Sequence, residues 1–321
     1  FAYNEEKKLK VDALVVDEAS MLDCQLCVHL LRALPLTCRL ILVGDVHQLP
    51  SVGAGNILED LLESRAVPSR HLTHIFRQAQ ESLIVVNAHR FNEGLFPTAS
   101  AKEPPEADFF WVEQDDPARV QEIIRQLVCE RIPAIYGLDP LRDVQVLSPM
   151  HKGEVGTQQL NTLLQQELNP SGPTLTRGNR MFRQGDRVLQ TRNNYEKDVF
   201  NGDLGWITGI NAESQTMQVD FEGRDLTYEQ GELDELTLAY AVSVHKSQGS
   251  EYPAVVLPVV TQHFMLLQRN LIYTALTRAK SLAVLVGSSK ALGIALNRKR
   301  GAERYTHLRY RLQDAANDIP Y

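Results

Sequence analysis

The sequence predicts an α/β protein, with parallel sheets flanked by helices and a small β-barrel inserted late in the chain. Three observations predict it. In residues 11–75, apolar runs alternate with helical periodicity, as in a doubly wound parallel sheet. The same alternation returns over residues 144–168 and 255–298. Between them, residues 181–236 hold short strand-like runs broken by Asn201-Gly202 and Glu222-Gly223, both turn signals.

The elements follow in order. Leu14-Val15-Val16 reads as a buried strand running into Asp17-Glu18, and a continuous apolar run is what a strand buried on both faces requires. Residues 23–34 read as a helix. Arg39-Leu40-Ile41-Leu42-Val43-Gly44 is a second buried strand, ending at Asp45, and residues 56–63 form a helix. Leu83, Val86, Asn87 and Arg90 open the next helix, and 99–107 is a Pro/Ala/Glu-rich surface loop. Residues 117–131 form an amphipathic helix with Val120, Ile123, Ile124 and Leu127 on one face. A strand at 144–149 and a helix at 154–168 begin a second α/β region. Strands are expected at 187–190, 204–210, 216–221 and 225–228, where Met217, Val219 and Phe221 alternate with polar residues. The α/β pattern resumes with a strand at 255–260, a helix at 268–279, a strand at 282–287 and a helix at 290–298. The polar tail 301–321 is expected to be peripheral.

Composition bounds the function. At 321 residues two domains or slightly more are expected. Apolar content of 43% and charged content of 23% are ordinary for a globular chain. No run approaches the roughly 18 to 20 apolar residues of a membrane span. The net charge of −7 excludes a histone-like global basic field but not a locally basic groove. Four cysteines suggest a reducing compartment, hence the cytoplasm. Cys24 and Cys27 form a C-x-x-C with no second pair at zinc spacing, and on a helix they read as small packing residues.

Leu14 to Met21 carries the chemistry. An apolar strand ending in Asp17-Glu18 is the Walker B pattern of a nucleotide-hydrolysing enzyme. Asp17 would hold Mg²⁺, directly or through water, and Glu18 would activate the attacking water. The next strand leads into Gly44-Asp45-Val46-His47-Gln48-Leu49-Pro50-Ser51-Val52-Gly53-Ala54-Gly55. There Gln48 can sense a γ-phosphate without titrating, and the glycines permit a backbone path that switches. Arg77 in His74-Ile75-Phe76-Arg77-Gln78 and Arg278 in Tyr273 to Lys280 can each fork onto phosphate oxygens. Either arginine alone could equally be a surface ion pair. Val244-His245-Lys246-Ser247-Gln248-Gly249-Ser250-Glu251 is dense in donors that could touch a nucleic-acid backbone or a nucleotide. Pro149-Met150-His151-Lys152, at a strand end, is a second loop of that kind, or simply a solvated one.

In this order the motifs resemble the RecD-like branch of superfamily 1 DNA helicases. The matching stretches are Asp17 to Met21 (motif II), Gly44 to Gly55 (motif III), Phe76-Arg77-Gln78 (motif IV), His245 to Glu251 (motif V) and Tyr273 to Ala279 (motif VI). Asn193 to Gly205 looks like the family's inserted β-barrel. The resemblance implies two RecA-like lobes of the P-loop NTPase class with ATP between them and single-stranded DNA across their top. It divides the chain into part of a first lobe (1–75), a complete second lobe (76–182 and 237–300), the barrel (183–236) and the tail (301–321). It also implies 5′-to-3′ translocation driven by ATP and Mg²⁺. Asp17 would be the metal ligand, and Glu18, Gln48, Arg77 and the arginine finger Arg278 would be catalytic. Gly249 and Glu251 would contact nucleotide. Ser51, Pro149, His151, Lys152, His245, Lys246, Ser247 and Thr277 would contact DNA.

One departure stands out. No G-x-x-x-x-G-K-[ST] phosphate loop occurs in the chain. Walker A normally precedes Walker B, and only sixteen residues precede Asp17. The expectation is therefore a C-terminal fragment whose N-terminal partner half carries the Walker A loop, inactive alone and with no membrane association. The parent works alone or beside the subunits of a nuclease complex. Two other readings are a non-catalytic DNA-binding or scaffold subunit with this fold, and a P-loop ATPase unrelated to DNA. Intact Glu18, Gln48, Arg77 and Arg278 oppose the first of these. The motif V loop and the inserted barrel oppose the second.

Overall fold

The structure is a computed structural model that describes residues 2–72, 81–298 and 304–317. It divides into two compact units, Phe1–Ala79 with Lys299–Tyr321, and Gln80–Arg298.

In the first unit, β1 (Ala13–Val16) and β2 (Arg39–Leu42) pair in parallel, with Val16 opposite Leu42. Between them lie a 3-10 turn at Ala19–Met21 and α1 (Cys24–Ala33). Asp23 starts α1 by accepting the Leu26 N–H at 2.7 Å, the N-cap that leaves one fewer orphan donor. Cys24 and Cys27 lie on that helix as free, half-buried thiols. Helix α2 (Ile57–Ser64) follows β2. A C-terminal helix, Leu308–Asn317, belongs to this unit and packs on α2. Thr306 donates to Asp60, and Arg309 pairs with Glu63 at 2.9 Å. The polar tail thus has a defined seat that its composition does not reveal. One face of the strand pair is open: Val15 is 60% exposed and Ile41 50%, although a parallel sheet normally buries both faces.

The second unit opens with α3 (Leu83–Glu93), β3 (Phe109–Glu113) and α4 (Pro117–Gln126). The chain was expected to leave its helix at Arg131. Instead a π turn over Leu127–Arg131 leads into α5 (Ile132–Tyr136). Ile132 donates five residues back to Leu127, and Pro133 then stands at the start of α5, where its missing N–H matters least. Next come β4 (Val144–Ser148), α6 (Thr157–Leu168) and the hairpin β5 (Thr174–Arg177) and β6 (Arg180–Arg183). The insertion continues with β7 (Arg187–Gln190), β8 (Leu204–Asn211), β9 (Thr216–Phe221), β10 (Arg224–Tyr228) and β11 (Leu236–Leu238). The α/β region closes with β12 (Ala241–Ser243), β13 (Tyr252–Val259), α7 (Arg269–Leu276), β14 (Ala279–Gly287) and α8 (Ser289–Asn297).

Two sheets organise this unit. The parallel one has the order β12-β4-β13-β14-β3. Its core holds Val146, Val256 and Val286, packed with Val120, Ile124 and Leu160 of α4 and α6, all essentially inaccessible. The antiparallel one has the order β10-β9-β8-β7-β11 and its own core around Phe182, Met217, Val219, Phe221 and Tyr228. Strands β7 to β10 fall where turn signals and alternation placed them, and β11 is an addition.

A buried carboxylate ties the antiparallel sheet to the rest of the unit. Asp186 is fully buried and accepts from Gln165 Nε2 of α6 at 2.5 Å and Asn169 Nδ2 at 2.7 Å. It also accepts from the Arg183 N–H at 2.7 Å and the Tyr240 hydroxyl at 2.8 Å. Burial pushes its pKa up in spite of these four donors. Beside it, Arg187 lies over the rings of Trp206 and Tyr252 at 5.7 Å, linking β7 to β13. Every partner of Asp186 is a donor, so an amide in its place would set donor against donor. Asp186→Asn should cost about 1–3 kcal/mol and Asp186→Ala about 3–5 kcal/mol. Urea denaturation measures both, and a loss under about 0.5 kcal/mol for the alanine variant would show that the network is dispensable.

Candidate active site

In the first unit, candidate groups gather at the C-terminal ends of β1 and β2, the usual ligand side of an open α/β sheet. Asp17 is exposed, and its Oδ1 accepts the Glu18 N–H at 2.8 Å. Glu18 has φ 49°, a left-handed backbone that is costly for a residue with a Cβ. Two bonds hold it there. Glu18 O accepts the Met21 N–H at 2.9 Å, and Ala19 N–H donates to Val43 O at 2.8 Å. The motif II carboxylates therefore sit on a turn that is pinned to the neighbouring strand.

The second loop is bonded to the first along its backbone. Val43 N–H donates to Val16 O at 2.8 Å, Ser51 N–H to Ser20 O at 3.1 Å, and Cys24 N–H to Ala54 O at 2.9 Å. Asp45 Oδ1 accepts the His47 N–H at 2.8 Å and Asp45 O the Gln48 N–H at 3.3 Å, which turns the chain beside Glu18's loop. Gln48 is half-buried, and its Oε1 is buried with no hydrogen-bond partner among the described residues. Ser51 is buried and donates its hydroxyl to Gly53 O at 3.1 Å, an internal use of a group expected at DNA. Arg77 and its motif lie outside the described residues.

Gly44 allows this close approach. A Cβ built there would lie 2.9 Å from Leu58 Cδ2 and 3.0 Å from the backbone nitrogens of Ala19 and Ser20. Among the described residues no three His, Cys, Asp or Glu side chains come together as a metal cage. A single exposed carboxylate such as Asp17 suits Mg²⁺, which keeps several waters and uses one or two carboxylates plus substrate phosphates.

In the second unit, motifs V and VI are joined in the same manner. Tyr252 N–H donates to Arg278 O at 2.8 Å, and Tyr252 pairs with Ala279 as β13 meets β14. Arg278 is buried, and its Nη1 donates to Ser250 O at 3.2 Å. Glu251 is exposed and pairs with Lys280 at 3.0 Å. Gly249 is exposed with φ 77°, a conformation natural to glycine at the tip of this loop.

The residues expected at DNA divide into two kinds. Ser247 is fully buried and donates to Val244 O at 2.8 Å; Thr277 donates to Thr274 O at 3.1 Å; Pro149 is buried. Their side chains serve the fold. His151 and Lys152 are exposed, and His151 Nδ1 meets Thr157 Oγ1 at 3.0 Å. His245 and Lys246 are half-buried. Burial, and then His151, pull the His245 pKa down, and burial lowers that of Lys246. Lys246 Nζ bonds Asn201 Oδ1 at the turn before β8.

Sequence reasoning missed Gly44, Thr157, Asn201 and Lys280 as partners of these groups. Gly44 carried a signal, a glycine between an apolar strand and an aspartate. The others are recognised only by long-range contact.

Three family models match the chain: an AAA domain over residues 4–103, the ATP-dependent RecD-like DNA helicase SH3 domain over 160–221, and the UvrD-like helicase C-terminal domain over 238–286. The chain is similar to the ATP-dependent RecD2 DNA helicase of Deinococcus radiodurans, 38% identical over 94% of this chain and 40% of that protein. It is also similar to the RecBCD enzyme subunit RecD of Mycolicibacterium smegmatis, 30% identical over 98% of this chain and 56% of that one. The chain thus spans about half the length of these relatives. Among solved structures, a chain from "Structural Basis for DNA Unwinding at Forked dsDNA by two coordinating Pif1 helicases" shares the fold. Its TM-score is 0.52 at 17% identity, over 89% of this chain and 71% of that chain.

Gly44→Ala should force motifs II and III apart, because the methyl group meets backbone on one side. The expected loss is about 1–3 kcal/mol, read by thermal denaturation. An unchanged midpoint would mean that the two loops separate freely.

Proposed function

We propose, on the premise that the chain belongs to the RecD-like branch of superfamily 1 helicases, that it is the portion carrying motifs II to VI of an ATP-dependent DNA helicase. The protein would step 5′ to 3′ along single-stranded DNA. The observation that carries this reading is the backbone-bonded pair of loops holding Asp17, Glu18 and Gln48 at the ends of two adjacent parallel strands. Glu18 accepts the proton of the water that attacks the γ-phosphate. Gln48 hydrogen-bonds that phosphate by donating from its side-chain amide. Asp17 would hold Mg²⁺, which would supply charge neutralisation for the phosphate. Arg278 is the arginine finger, Arg77 a further γ-phosphate ligand, and Gly249 and Glu251 contact the nucleotide. His151, Lys152, His245 and Lys246 contact the DNA backbone.

The absence of a G-x-x-x-x-G-K-[ST] loop from the chain and the open face at Val15 and Ile41 support a parent in which further elements of the first lobe supply the phosphate cradle. No described helix is long and apolar enough to cross a membrane. We place the parent in the cytoplasm, alone or beside nuclease-complex subunits.

ATP hydrolysis with and without a single-stranded oligonucleotide tests the reading. The chain alone should hydrolyse no ATP, and the full-length protein should show DNA-stimulated turnover. In the full-length protein Glu18→Gln should lower kcat at least about 100-fold while nucleotide binding persists. Arg278→Ala should lower it about 1000-fold or more with ATP affinity little changed. DNA-independent turnover would favour an ATPase unrelated to DNA, and DNA binding without any turnover would favour a scaffold subunit.

A further inference from the structure

One arginine from the far end of the chain reaches the motif III loop. Arg304 Nη1 donates to Gly53 O at 2.8 Å, Gly55 O at 2.6 Å and Ser51 Oγ at 3.2 Å, and its Nη2 donates to Ser51 O at 2.6 Å. Three backbone carbonyls and a hydroxyl thus converge on one guanidinium. The loop is confined on its other side by α1. A Cβ at Gly53 would lie 2.2 Å from Asp23 Oδ2, and one at Gly55 would lie 2.2 Å from Cys24 Sγ. The guanidinium is the side chain suited to this task, since its rigid fork serves several acceptors at once where an ammonium is a point charge. The segment that carries it is anchored separately, through Thr306 to Asp60 and Arg309 to Glu63 on α2.

We propose that Arg304 is a positioning residue for the motif III loop. It holds residues 51–55 in one shape, so that the loop carrying Gln48 couples the nucleotide side to the response to DNA. The functional half of this statement rests on the helicase reading above; the structural half does not. Its physical basis is local. A glycine-rich loop has many accessible conformations, and carbonyls gathered on one cation select a single one of them.

Hydrogen exchange and ATPase measurements on the full-length protein test it. The amides of Ser51 and Cys24, which bond Ser20 and Ala54 across the loop, are the reporters, and the amides of α2 are the control. Arg304→Ala should speed exchange at both reporters about tenfold or more and leave α2 unchanged. Arg304→Lys should fall between it and the wild type. The double variant Thr306→Val, Arg309→Ala, which loosens the anchor and spares the guanidinium, should leave the reporters unchanged. Equal acceleration across α2, no acceleration in Arg304→Ala, or the same acceleration in the double variant would overturn the assignment. In turnover, Arg304→Ala should raise the oligonucleotide concentration for half-maximal stimulation about tenfold with the KM for ATP within about twofold. An unaltered DNA response alongside accelerated exchange would overturn the link to function. A wild-type protein with no DNA-stimulated turnover would overturn the helicase reading while the exchange data still decide the structural role.

Discussion

The first unit's site depends on one constraint: the hydrogen bonding between β1 and β2 does not stop where the strands do. Val43 continues the ladder to Val16, Ala19 returns a bond to Val43, and Ser51 and Cys24 add bonds to Ser20 and Ala54. These are backbone bonds, so they place the loops without restricting most side chains. The restriction falls on Gly44, where any Cβ meets the opposite backbone. The strained φ of Glu18 is tolerated for the same reason, because its neighbours on both sides are already bonded. The carboxylates and Gln48 are carried on a frame held chiefly by backbone bonds.

The second unit repeats the solution with different residues. Motifs V and VI lead into the starts of adjacent parallel strands, β13 and β14, and the Tyr252 to Arg278 backbone bond joins them there. Arg278 is thereby fixed in place by its own main chain, and its side chain reaches back to Ser250. The inserted antiparallel sheet is tied to the same region through Arg187, which lies over Tyr252. Turn, strand end and insertion are thus linked within this unit.

The parts legible in the sequence are those governed by local pattern. The largely apolar runs of β1, β2, β4, β13 and β14 identify themselves, as do the alternating residues of β9. Strand β3, Phe-Phe-Trp-Val-Glu, was missed because it follows a Pro-rich loop and is an edge strand. The hairpin β5–β6 has three arginines in its eight strand residues, and β11 and β12 have three residues each, too few for periodicity to appear. The helix through Pro133 was cut short because a π turn is invisible to a 3.6-residue rule. For the candidate site, the motifs single out Asp17, Glu18, Gln48 and Arg278. They did not tell which donors are spent internally: Ser51, Ser247 and Thr277 look available in the sequence and bond carbonyls in the fold.

On the helicase reading, an acidic chain would have to discriminate among its own cations for a polyanion. Lys280 is paired with Glu251, and both are more than half exposed, so an arriving phosphate would compete with a carboxylate in a screened setting. Lys246 differs. Among the described residues it has no carboxylate partner, it bonds the neutral amide of Asn201, and burial already lowers its pKa. Its charge is under-solvated, so a phosphate placed there restores what burial removed. His245 is held on the neutral side by burial and by His151, and so offers a hydrogen bond rather than a charge near neutral pH. On the helicase reading, the electrostatic part of the motif V contact therefore belongs to Lys246. That amounts to about one phosphate in the salt dependence of binding, while the histidines set orientation.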